Sequence, residues 1–144
     1  MSFNSPAHKT KIKLIPERSY GKDGELQSAS VTLIPDVAVE IKLANGSQQV
    51  YLFDPKYKLE SEPLENTSNE GKPKTADIQK MHTYHDAIQN REGRQVVNYA
   101  AIIYPGSYVS HSNAEIEALP AYPGAESILQ EHLHRVLNKA LEVS

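Results

Sequence analysis

Val50-Tyr51-Leu52-Phe53-Asp54-Pro55-Lys56 sets four apolar residues directly against an acid, a proline and a base. A short, unbroken apolar run of this kind suits a strand buried on both faces. Side chains alternate across a strand, so Asp54 and Lys56 leave it on one face, about 7 Å apart at ~3.3 Å per residue. Pro55 has no N–H to give a ladder, which predicts a bulge or a strand end there.

Upstream, Asn45-Gly46 is a hairpin signal, because both residues tolerate the positive φ of the tight turns that join strands. It folds the β-branched stretch 37–43 back against 50–53 and carries Asp36, preceded by Pro35, alongside Asp54. Residues 11–15 alternate polar and apolar and predict a half-buried strand ending at Pro16. Residues 19–25 read as a turn, 26–33 as a weakly alternating extended stretch, and the polar residues 1–9 as a frayed end.

Downstream, residues 60–74 contain almost nothing to bury and read as a mobile loop. Residues 75–90 predict a helix, capped by Thr75 or Asp77, with Ile78, Met81, His85 and Ile88 near helical spacing. Lys80 and Tyr84, one turn apart, share a face of it. A β-rich run follows at 96–104, then a polar loop and a short strand at 116–119. A last helix starts near Gly124, its apolar stripe running through Ile128, Leu129, Leu133, Val136, Leu137, Ala140 and Leu141. The order predicts a mixed α/β sandwich.

At 144 residues and 39% apolar content the chain has the size of a single domain, 1–144, around one core. It lacks cysteine, which excludes disulfides, zinc–thiolate sites and thiol nucleophiles. No apolar run is long enough to span a membrane, no secretory pattern opens the chain, and a cytoplasmic location is the expectation. A net charge of −3 argues against a protein that coats nucleic acid electrostatically.

Two carboxylates, Asp36 and Asp54, with the Lys56 ammonium beside them form a chemically useful set. Hard cations such as Mg²⁺ take oxygen ligands, keep several waters and need only one or two carboxylates. Taken singly, each residue has a plainer reading: Asp36 as a turn residue, Asp54 and Lys56 as an exposed strand end, Lys80 as a solvated helix residue. His82 and His85 also share the helix, with no third zinc ligand evident.

In order, Ile34-Pro35-Asp36, Asp54-Pro55-Lys56-Tyr57-Lys58, the helix segment Asp77 through Ala87, and Ala101-Ile102-Ile103-Tyr104-Pro105-Gly106 resemble the PD-(D/E)XK nucleases related to McrC-type restriction subunits. The resemblance implies a restriction-endonuclease-like α/β core, with a mixed central sheet flanked by helices. It implies a nuclease using Mg²⁺ or Mn²⁺ on DNA, with RNA the other option, in a defence, restriction or mobile-element setting. The net charge of −3 and the short chain add the expectation of a homodimer or a subunit of a larger complex. The alternative is a non-catalytic nucleic-acid-binding or protein-interaction subunit of the same fold. By position, Asp36 and Asp54 would ligate the metal and Lys56 would place the water or neutralise charge. Lys80 falls where relatives carry a glutamine or lysine, and Tyr84 is accessory. The family's early helix glutamate has no counterpart here. Glu40 is the accessory candidate, although four residues along the strand put it about 13 Å from Asp36.

Overall fold

The computed structural model describes residues 2–5, 10–29, 31–56, 75–111 and 115–142. The anticipated loop at 60–74 lies outside them, as does most of 1–9. In chain order the elements are β1 (Ser2–Ser5), β2 (Thr10–Pro16), β3 (Leu26–Ser28), β4 (Val37–Lys42), β5 (Gln48–Pro55), α1 (Thr75–Ala87), β6 (Ile88–Asn90), β7 (Val97–Tyr104), β8 (Val109–His111), β9 (Ile116–Pro120) and α2 (Glu126–Glu142). The expected fold class holds: a seven-stranded mixed sheet, ordered β1-β2-β4-β5-β7-β9-β8, lies between two helices, while β3 and β6 form a separate two-stranded ribbon.

The β4–β5 hairpin turns at Asn45-Gly46, where Gly46 takes φ 88° and its N–H donates to Leu43. Asn45 Oδ1 accepts from the Ser47 N–H, which stiffens the turn. From β5 the chain crosses through α1 to β7, which runs parallel to β5, and β9 runs parallel to β7. Parallel neighbours require such a crossover, and ligands in open α/β sheets bind outside the carboxyl ends of the strands. Asp54 lies at that end of β5.

Alternation divides the core in two. On the front face Ala38, Val50, Leu52, Ala100, Ile102 and Tyr104 meet Ile78, Met81, Tyr84 and Ala87 of α1. On the back, Val39, Ile41, Tyr51, Phe53, Tyr99 and Leu119 meet Val136, Leu129 and Leu133 of α2. β5 is central, and both its faces are buried, as its unbroken apolar run required.

Three expectations are corrected. The helix predicted over 75–90 stops at Ala87, because residues 88–90 pair as β6 with β3. There Ile88 is fully buried, and Asn90 Oδ1 accepts from the N–H groups of Glu92 and Arg94 to close a turn through Gly93 at φ 80°. The polar stretch after Tyr104 contains a strand, β8, which closes the sheet edge antiparallel to β9. Ser2–Ser5, read as part of a frayed end, pairs with β2 as an edge strand. In each case tertiary pairing overrides a weak local pattern.

Candidate metal-dependent active site

The sheet delivers Asp54 to its position through the proline that follows it. Backbone groups of a strand alternate between its two neighbours. Lys56 N–H donates to Ile103 O of β7 at 2.7 Å, so the missing N–H of Pro55 faces the β4 side, beyond that strand's first residue, Val37. Pro55 therefore ends the strand where no ladder partner is lost, and the last bond to β7 fixes Lys56.

Asp54 is 1% exposed, at the top of the front-face core. Its Oδ1 accepts from the Asp36 N–H at 3.3 Å, a bond that holds the Pro35-Asp36 corner against β5. Glu17, at φ 50°, donates its N–H to Asp36 O and ties the same corner to the end of β2. That left-handed φ is uncommon outside glycine and is strain stored beside the site. Oδ2 of Asp54 faces two ammonium groups, Lys56 Nζ at 3.1 Å and Lys80 Nζ at 3.5 Å. Neither is directed as a hydrogen bond, and Oδ2 is a buried side-chain oxygen without a hydrogen-bond partner among the described residues.

Lys80 reaches the site from α1 with its ammonium 5.7 Å from the centre of the Tyr84 ring, within cation–π range. Tyr84 is 1% exposed and forms the inner wall. Burial first, then the Asp54 charge, pushes its hydroxyl well above the ordinary tyrosine value, so it stays protonated. The Asp36 carboxyl is also raised: partial burial is the main cause, followed by its hydrogen bond to and repulsion from Asp54, with Lys56 and Lys80 pulling the other way.

Asp36, Asp54, Lys56, Lys80 and Tyr84 are thus gathered in one place. Glu40 is not. It shares the front face of β4, but its Oε2 accepts from Arg18 Nε at 2.8 Å and from the Tyr20 hydroxyl at 2.7 Å. Those donors occupy it as a structural acid that seats the 18–20 segment on the sheet. His85 is engaged elsewhere, by Asp86 at 3.2 Å and Glu115 at 3.1 Å. Among the described residues no three His, Asp or Glu side chains converge on one point, so a cation held here would have Asp36 and Asp54 as its carboxylate donors.

The sequence reading missed Arg18 and Glu17, which have no local signature. It also missed a second buried acid, Glu117, although a charge inside Ile116-Glu117-Ala118-Leu119 was a visible signal. On the back face Glu117 is fully buried and accepts from Tyr99 at 2.5 Å, from Tyr108, and from Arg135 of α2 at 2.8 Å. Burial pushes its pKa up, but these hydrogen bonds outweigh that and lower it overall.

A mixed α/β sheet with an acid–acid–lysine cluster at the carboxyl end of its central strand defines a restriction-endonuclease-like domain. A family model for the PD-(D/E)XK nuclease superfamily matches residues 1–109, and the chain belongs to that superfamily. No curated protein and no solved structure matches the chain.

Proposed function

We propose that the chain is a metal-dependent nuclease that hydrolyses phosphodiester bonds, with DNA as its substrate. The observation behind this reading is Asp54 Oδ2: buried, without a directed hydrogen bond, and flanked by two lysines. An unsatisfied buried carboxylate oxygen is costly unless something completes it.

The donor set fits a hard divalent cation, Mg²⁺ or Mn²⁺, held by Asp36 and Asp54 with water completing its shell. When bound, such an ion lowers the pKa of a water and stabilises charge on the phosphate. The raised Asp36 carboxyl agrees with this, since crowding between two carboxyls is what a shared cation relieves. In this reading Lys56 orients the attacking water, which needs an amine held by a rigid strand end, and Lys80 neutralises charge on the phosphate from the helix side. Tyr84 walls the site and keeps the lysine in place.

Placement in the McrC-related branch, and with it a defence or restriction role, rests on the ordered motif resemblance. A homodimer, or a subunit of a larger complex, suits a net charge of −3, which gives little long-range attraction to a polyanion. Symmetry would also place two sites on opposite strands. Sedimentation showing a strict monomer that holds duplex DNA at nanomolar affinity in ~150 mM salt rejects the oligomeric part. The central test is plasmid nicking in Mg²⁺ or Mn²⁺: Asp54→Ala and Lys56→Ala lose it with their folds intact. Nicking by both at the wild-type rate removes the assignment.

A further inference from the structure

Outside the Asp54 cluster, two adjoining grooves on the front face form one basic feature. In the β2–β4 register Lys13 lies opposite Glu40 and Lys11 opposite Lys42. Glu40 in turn lies opposite Val50 of the front core, so all three lysines project from the front face, where they are exposed. α1 packs over β7 and β9 and leaves this part of the sheet to one side. The lysines line a groove of about 270 Å³. A second groove, of about 410 Å³, shares Lys42 with it and adds Arg91 and Arg94 from the turn after β6.

Three acids, Glu25, Glu40 and Glu92, line the grooves beside five cations. Glu40 is held by Arg18 and Tyr20, and Glu25 accepts from Gln48 Nε2 at 3.2 Å. Among the described residues no carboxylate pairs with Lys11, Lys13, Lys42 or Arg94. A chain of net charge −3 thus keeps an excess of cations, five against three acids of which Glu40 is already paired with Arg18, on the face that carries Asp54. Lys42 lies six residues along β4 from Asp36, about 20 Å at ~3.3 Å per residue. That is roughly six base-pair steps at ~3.4 Å. No aromatic side chain lines either groove among the described residues. Single strands are gripped mainly by aromatic stacking platforms, so the groove suits a phosphate backbone read by charge alone.

We propose that this groove carries the backbone of duplex nucleic acid to one side of the phosphate at Asp54. The proposal rests on the nuclease reading, and the experiment separates the two. Binding of a fluorescent duplex is measured by anisotropy across a salt series, in the Asp54→Asn background so that no turnover intervenes. Lys11→Gln, Lys13→Gln and Lys42→Gln together are expected to weaken binding at least tenfold at ~0.1 M salt and to lower the slope of log K against log salt by about 0.9 per lost contact. Lys139→Gln, exposed near the end of α2, leaves the slope unchanged. Lys13→Gln alone gives one such step should the triple variant fold poorly, with circular dichroism reporting folding. An unchanged slope, an equal loss in Lys139→Gln, an equal lysine dependence for a single strand, or no salt-dependent binding at all overturns the groove. Should Asp54→Asn still cut while the lysines control binding, the assignment of the active site to Asp54 fails and the groove stands. Should Asp54→Asn be inert while the lysine variants bind normally, the reverse holds.

Discussion

Among the described residues the sheet buries one carboxylate on each face, and the two are finished differently. Glu117 on the back has three donors, from a β7 tyrosine, the Tyr108 hydroxyl and the Arg135 guanidinium, so both its oxygens are satisfied. Asp54 on the front accepts one long bond from a backbone N–H, and its other oxygen has only lysines that pass beside it. A buried acid enclosed by donors rigidifies the packing of an element, here α2 on β9. A buried acid left short of directed donors is costly to keep, and under the proposed function a cation is what would complete it.

The contrast breaks most visibly in activity. Asp54→Asn is expected to lower cleavage by ~10²–10³-fold, the scale of losing an essential charge-stabilising group. Its stability should stay within about 1 kcal/mol of wild type, because Lys56 and Lys80 both reach water when released. Glu117→Ala is the mirror case. It strands two hydroxyls and a guanidinium, and urea unfolding should show a loss of about 2–4 kcal/mol, with cleavage per folded molecule retained. Exchange of these outcomes between the two variants would invert the assignment of roles.

Smaller effects sharpen it. Saturating Mg²⁺ or Mn²⁺ should raise the melting temperature of wild type, by about 1–3 kcal/mol of linkage at 10 to 100 times Kd, and should leave Asp54→Asn unmoved. An equal rise in both would place the cation elsewhere. Acid should destabilise the protein through the back face. The Glu117 pKa is held below its ordinary 4.5, so its contribution to stability is complete above that value and fades as pH falls through the lower, folded-state one. Wild type should therefore lose stability more steeply than Glu117→Gln below about pH 4.5 and not above it, read by urea melts at each pH. The smallest effect is at Lys80, whose half-exposed side chain reaches Asp54 at 3.5 Å: Lys80→Ala should change stability by under ~0.5 kcal/mol while slowing cleavage.

Residues 50–56 made the central strand, its end at Pro55 and the shared face of Asp54 and Lys56 legible, because strand periodicity and the missing proline N–H act locally. Asn45-Gly46 likewise dictated the hairpin that sets Asp36 beside Asp54, and the i, i+4 spacing of Lys80 and Tyr84 placed them on one helix face. Glu40 shows where such reading stops: its strand face was legible, but its capture by Arg18 and Tyr20, more than twenty residues away in sequence for the former, was not. The same holds for residues 88–90, whose helical pattern yields to pairing with β3, and for Glu117, whose partners come from β7, from the segment before β8 and from α2. Periodicity and turn chemistry are properties of a few neighbouring residues and can be read in one dimension. Whether a buried acid is satisfied depends on donors brought from distant segments, and only the folded chain decides that.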